Sequence, residues 1–357
     1  MVAIGLLAIV LSFAGVIFNA GINTHRTALA NAEIMRKLRA ITDRLDADFQ
    51  GLCKGGEIFV AWVAEDRRPD FSDCDLDGFE RFDRIMFFTD GDFESYRAAL
   101  MSDGIRRKMV RGNLARVCYM LANADPPVTG GPPVKASSLG GPERILARTQ
   151  HILTADPDLP VFFDPTSVVD ANWYTWNNFY EYDKMTLEQW KKMPLVNKQN
   201  ALSVITDVKV GVPPPTISDT VWGARANPAE PNSIHMLLCE GVGEFKIQGW
   251  YDAGRRWLPE VDIDGPGPLT DSDFFWLSPG VFDPDHVPGV LYPSRAAPGG
   301  AYGGVNINGI GYGGPLDETD FNRVPGLGRA LKFTFTLFDS KGVIKQGRTF
   351  THIVYLD

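Results

Sequence analysis

Apolar side chains recur at Ile34, Leu38, Ile41, Leu45, Phe49 and Leu52, at spacings of 4, 3, 4, 4 and 3. That is the period of one face of an α-helix, so the pattern predicts a stripe packed against a protein body. Charges occupy the other faces, with Arg39 and Asp43, and Arg44 and Asp48, one turn apart. Upstream the pattern changes character. Met1 to Thr24 carries no charged side chain, and the first full charge is Arg26. The apolar run from Met1 to Ile22 is long enough to cross ~30 Å of hydrocarbon at ~1.5 Å per residue. No proline interrupts Met1 to Leu52, and Gly55-Gly56 supplies a helix stop. The expectation is one helix of roughly 50 residues, about 75 Å long, apolar in its first half and amphipathic in its second. Residues 1–52 are therefore read as a transmembrane or assembly helix.

After the helix the period shortens. Gly56–Val63, Asp83–Gly91 (a strand closing in a turn), Asn113–Leu121 and Arg144–Thr149 read as strands from their β-branched and aromatic content. Strands resume at Ser233–Cys239 and Glu244–Asp252. The chain closes with a hairpin, Ala330–Phe338 and Gly347–Tyr355, around the turn Asp339-Ser340-Lys341-Gly342. Two stretches break this rhythm, at about 156–215 and 259–325. The first is rich in aromatics and carries one short helix near Leu187–Lys192; the second is rich in glycine and proline. The predicted class is α+β: one long N-terminal helix packed on a mainly antiparallel β body, residues 53–357, with two long insertions.

Composition changes this picture only in part. The chain has 36 Gly and 25 Pro, which suits a β body with long loops. Its net charge is −9, and no Lys/Arg run exceeds Arg106-Arg107-Lys108, so nucleic acid is not an expected partner. The four cysteines are Cys53, Cys74, Cys118 and Cys239, with no CxxC pair. Outside the cytosol Cys53 and Cys74 are the nearest candidates for a disulfide; the alternative is that all four are small buried hydrophobes.

Two acidic stretches have the layout of calcium loops. Asp73-Cys74-Asp75-Leu76-Asp77-Gly78 places carboxylates at positions one, three and five and glycine at six; position twelve is Arg84, so Glu80 or Asp83 would have to close the shell. Glu260-Val261-Asp262-Ile263-Asp264-Gly265 has Asp271 at position twelve, although Pro266 and Pro268 are unusual there. Both can equally be solvated acidic turns. No G-x-S-x-G, P-loop or H-E-x-x-H is present. Trp173, Tyr174, Trp176, Phe179, Tyr180 and Tyr182 form either a small core beneath the first insertion or a sugar- or partner-stacking surface. No catalytic residue is singled out, and no enzymatic activity is expected.

A helix that runs without a linker from an apolar half into the stripe of a soluble body is the construction of type IV pilins and pseudopilins. Ile4-Gly5-Leu6-Leu7-Ala8-Ile9 resembles the Ile-Gly-Ile-Leu-Ala-Ala segment of their apolar helix. Leu45-Asp46-Ala47-Asp48-Phe49 is similar to the segment that ends their helix, and Phe87-Phe88-Thr89-Asp90-Gly91 to a following strand. Leu114-Ala115-Arg116-Val117-Cys118-Tyr119 resembles the Leu-x-Arg-Val-x-Tyr strand. Gly241–Ile247 with Trp257, and Leu327–Thr334, resemble two late strands. Together these resemble the J class of minor pseudopilins of type II secretion, over the helix and about half of the body; the two long insertions depart from it.

The resemblance implies a type IV pilin-like fold and a non-enzymatic filament subunit of a pseudopilus or pilus. Such a subunit is a single-pass inner-membrane protein before assembly and part of a periplasmic or cell-surface filament afterwards, not a cytoplasmic protein. The implied partners are other pseudopilins or pilins, the inner-membrane assembly platform and the lipid bilayer. Ile4, Gly5, Leu6, Leu7, Ile9, Leu11, Phe13, Ile17 and Phe18 are the membrane and assembly positions. Calcium occurs in several pseudopilins. In one register the prepilin leader and the glutamate of the fifth mature position lie upstream of Met1, which the Ile4-Gly5 match favours. In the other, Met1 is the mature start and Gly5 stands where most pilins have glutamate. The contrasting reading makes residues 1–30 a signal or anchor, with Ala28-Leu29-Ala30 as cleavage site, on an exported enzyme or carbohydrate-binding protein.

Overall fold

The computed structural model describes residues 2–53, 58–62, 64–66, 79–124, 140–159, 182–192, 225–226, 237–251, 255–258, 260–261, 274–275, 289–291, 305–306 and 330–356. Helix α1 spans Val2–Gln50 without a break. In chain order the strands are β1 (Phe59–Trp62), β2 (Ala64–Asp66), β3 (Phe79–Arg81), β4 (Arg84–Leu100), β5 (Arg107–Ala124), β6 (Ile145–Leu153), β7 (Tyr182–Asp183), β8 (Arg225–Ala226) and β9 (Leu237–Glu240). They continue with β10 (Val242–Tyr251), β11 (Arg256–Leu258), β12 (Glu260–Val261), β13 (Phe274–Phe275), β14 (Gly289–Leu291), β15 (Val305–Asn306), β16 (Ala330–Leu337) and β17 (Arg348–Tyr355). A short helix α2, Leu187–Lys192, lies where the first insertion predicts one.

The larger sheet runs β15-β14-β1-β4-β5-β6-β7, with β8 beside β5 and β9 beside β6; the smaller is β11-β10-β16-β17. The larger sheet is antiparallel except for β5–β8 and β6–β7, and the smaller is antiparallel throughout; β2–β3 and β12–β13 form separate two-stranded sheets. The molecule is thus one long N-terminal helix on antiparallel sheets, a mixed α+β arrangement, as the alternation predicts.

The helix stripe sits against both sheets. Ile34, Ile41 and Leu45 are fully buried, Phe49 nearly so, and Leu38 and Leu52 lie at the margin of the same core. Each fully buried aliphatic contributes about 1.5–3 kcal/mol. Phe49 stacks on Phe87 of β4 at 4.3 Å between centroids and meets Phe333 of β16 at 5.7 Å, so one ring touches both sheets. The sheets are also tied directly. Asp83 donates its backbone N–H to the Phe245 carbonyl at 2.9 Å, and its carboxylate accepts the Ile247 N–H at 2.7 Å.

Two boundaries differ from expectation. The helix stops at Gln50, just short of the expected Leu52; Gly55-Gly56 lie outside the described residues. The strand β4 intercepts its end: Thr89 Oγ1 donates to the Asp48 carbonyl at 2.7 Å, Asp90 N–H to the Gly51 carbonyl at 2.6 Å, and Cys53 N–H to the Phe88 carbonyl at 2.9 Å. The first two bonds satisfy carbonyls that a helix end leaves unpaired, and the third ties the chain after the helix to β4. Gly51 is required there because a Cβ would stand 2.2 Å from the Asp90 carbonyl oxygen. Second, the chain does not turn at Thr89-Asp90-Gly91. The strand continues to Leu100, and a register shift against β5 between Asp90 and Phe93 absorbs the irregular residues. Asp and Gly read locally as a turn, but a partner strand of 18 residues keeps the ladder going.

Candidate functional site

The two halves of α1 have opposite environments. From Leu11 to Ala20 every residue is exposed, and Leu11, Phe13, Val16, Ile17 and Phe18 lie between 63% and 71% exposed. At ~100° per residue these five wrap around the helix instead of forming a stripe. A helix apolar on all sides requires apolar surroundings on all sides. Thr24 and Thr27 return their hydroxyls to the Ala20 and Asn23 carbonyls, both at 2.9 Å, so the helix backbone takes up those donors. Among the described residues no helix is long and apolar enough to cross a membrane. The expected positions Ile4, Gly5, Leu6, Leu7 and Ile9 have side chains outside the described ones.

Among the described residues burial begins at Ala30, and the second half of the helix is held by polar clamps as well as by its stripe. The first clamp is at Glu33 and Lys37. Glu33 accepts the Ser340 N–H at 3.0 Å and the Ser340 hydroxyl at 3.1 Å, and pairs with Lys37 at 3.0 Å. Burial pushes the Glu33 carboxyl up, but the Ser340 and Lys37 bonds outweigh it and hold the group below its ordinary value. Lys37, itself buried, donates to the Phe338 carbonyl at 2.8 Å. Gly241, at φ 71°, keeps that corner open, since a Cβ would come within 3.1 Å of Lys37 Nζ.

The second clamp is at Asp46 and Asp48. His352 of β17 meets Asp46 at 2.8 Å. Arg148 of β6 grips both oxygens of Asp48, Nε at 2.6 Å and the second terminal nitrogen at 2.8 Å. Tyr119 of β5 donates to the same carboxylate at 2.5 Å, and Arg44 approaches from the helix at 3.3 Å. Asp48 is 4% exposed, so this bidentate pair works in a low dielectric. Burial, then the neighbouring Asp48 charge, drives the Tyr119 hydroxyl well above its usual pKa.

The predicted packing positions Ile34, Leu38, Ile41, Leu45, Phe49 and Leu52 come together as one seat. The clamps were only half legible. Lys37 and Asp48 stand in the phase of the apolar stripe, where a charge must find a buried partner, and that was the available signal. Their partners Phe338 and Arg148 are 301 and 100 residues away. A second buried pair, Arg116–Asp183 at 3.0 Å, fastens β7 beside α2, with the guanidinium 5.8 Å from the Trp190 ring centroid.

The calcium positions Asp73, Asp75, Asp77, Asp262, Asp264 and Asp271 lie outside the described residues, as does Cys74. Glu80 and Glu260 fall on the short strands β3 and β12, with side chains outside the described ones. Among the described residues no three His, Cys, Asp or Glu side chains stand close enough to hold a metal ion. Of the aromatic run, Trp173 to Tyr180 are likewise outside, while Tyr182 is buried against Val110, Ile152 and Leu159. No protein-family model, curated protein or solved structure matches the chain.

Proposed function

We propose that the chain is a non-enzymatic structural subunit of a type II secretion pseudopilus or a related type IV pilus-like filament, with a type IV pilin-like fold. The observation that carries this reading is the division of α1. Its second half is seated in the body by six apolar residues and two polar clamps, while in its first half Leu11 to Ala20 is exposed throughout, with large apolar side chains on all sides of the helix. A subunit held in a bilayer and then in the helical core of a filament needs that division, because both settings surround the helix with apolar groups. The body, packed rigidly on the same helix, rides with it.

The test is extraction and cross-linking of the full chain in its native membrane. The chain is expected to resist alkaline carbonate, and Phe13→Cys or Ile17→Cys variants are expected to form disulfide-linked pairs with neighbouring subunits. Recovery of a soluble monomer whose N-terminus has been cut at Ala30 or Ala32 would overturn the reading and favour an exported enzyme or carbohydrate-binding protein. The acidic turns around Asp75 and Asp262 are proposed as calcium loops on their residue spacing. At a calcium concentration ~tenfold above Kd, binding adds about 1.4 kcal/mol to stability. Thermal unfolding that is identical in millimolar calcium and in chelator removes them.

A further inference from the structure

A groove of about 660 Å³ opens where α1 leaves the body, bounded on the helix by Arg26, Leu29, Glu33 and Arg36 and on the β16–β17 turn by Asp339 and Lys341. That volume is in the range of small-ligand sites. Its two carboxylates are already engaged. Asp339 accepts the Val343 and Ile344 N–H groups at 2.9 and 2.8 Å, and Glu33 is taken by Ser340 and Lys37. Its three cations are not: Arg26, Arg36 and Lys341 are exposed and pair with no carboxylate among the described residues. Three cations and two carboxylates thus line the groove, on a chain whose net charge is −9.

The position along the helix is as telling as the charge. Ile22 is the last apolar residue of the first half, and Arg26 follows one turn later, ~6 Å further along the axis. The polar layer on each side of a bilayer core is about 5–7 Å deep. A helix inserted up to Ile22 therefore presents Arg26 at headgroup depth, while Arg36, ~21 Å beyond Ile22, and Lys341 line the same groove on its body side. The exposed Leu29 adds an apolar wall on which the glycerol end of a chain can rest.

We propose that this groove binds the phosphate of an anionic phospholipid headgroup, and so sets the depth at which the body rests on the membrane. The proposal rests on the reading of the first half of α1 as a bilayer-inserted segment. It is tested with the full chain in two arms. Flotation with phosphatidylcholine vesicles reads insertion itself. Lipid retained through exchange into non-ionic detergent, counted by mass spectrometry from mixed phosphatidylcholine and phosphatidylglycerol, reads the groove.

Phosphatidylglycerol is expected to be retained preferentially, by roughly fivefold for each cation engaged. The variant Arg26→Gln/Arg36→Gln/Lys341→Gln is expected to lose that preference while still floating. The variant Arg107→Gln/Lys192→Gln/Arg255→Gln, with the same change in net charge at exposed sites elsewhere, is expected to keep it. Equal loss in both triple variants, no preference in the unaltered chain, or a preference abolished by inorganic phosphate at low concentration each overturns the lipid site. So does a salt-sensitive dimer that the first triple variant breaks, which would put a second copy in the groove. A chain that does not float with phosphatidylcholine vesicles fails earlier, at the membrane reading, and is distinguishable from all of these.

Discussion

Asp48 is where a single side chain decides whether the helix belongs to the body. Replacing it by asparagine removes the charge and leaves the Arg148 guanidinium, 10% exposed, without its counter-ion. Breaking a buried pair from one side costs about 3–5 kcal/mol, whereas replacing both partners by apolar groups can be neutral. We expect Asp48→Asn to be strongly destabilising and the double variant Asp48→Leu/Arg148→Met to recover most of the loss, read by denaturant unfolding as a double-mutant cycle. Tyr119 gives the same cluster a pH signature. Its folded pKa lies above the unfolded value of about 10. The folded state therefore holds the proton longer, so its contribution is complete below pH ~10 and is lost as pH rises toward the folded value. Tyr119→Phe should flatten that alkaline decline and cost about 1.5–3 kcal/mol at neutral pH through the bond lost to Asp48. The cysteines follow the same logic of burial. Desolvation raises Cys118 to about 12 and Cys239 to about 11. In the folded chain at mildly alkaline pH, iodoacetamide should therefore label the half-buried Cys53 well before either of them, and equal labelling rates would contradict the packing.

At the scale of elements, the junction between α1 and β4 depends on a glycine. Gly51→Ala drives a methyl into the Asp90 carbonyl and should cost about 1–3 kcal/mol by forcing the helix end away from the strand. Thermal unfolding of that variant measures it, and an unchanged midpoint would mean the junction yields freely. This junction also marks how far the residue pattern could be read. Period and alternation made α1, the strands around Phe87, Val117 and Ile247, and the closing hairpin legible, because each is a local pattern answering to one buried face. The short helix at Trp190 was legible for the same reason. The continuation of β4 through Gly91 was not. Asp and Gly satisfy the local chemistry of a turn, and only the length of the β5 ladder opposite carries the strand past them. The clamps were hidden for a related reason. Lys37 and Asp48 announce that something must be found in the core, but Phe338 and Arg148 are supplied by the fold and not by neighbouring sequence.

For the whole molecule, the core begins at Ala30, so its stability should be independent of what precedes it. Deleting residues 1–27 is expected to leave the unfolding midpoint of the body within experimental error while abolishing membrane association. A body that melts markedly earlier would show that the first half of the helix has a structural partner. The same division has a mechanical side. The clamps at Glu33–Lys37 and at Asp46–Asp48 are about 18 Å apart along the axis, and the helix ahead of the first extends about 46 Å. The helix is therefore a lever with a short, doubly pinned butt and a long free arm. A sideways push at its tip is resisted by opposed loads at the two pins, each larger than the push itself by roughly two- to fourfold at this ratio of arms. The far pin carries the bidentate Arg148–Asp48 grip, so tilting the body against its helix means wrenching a buried charge pair apart.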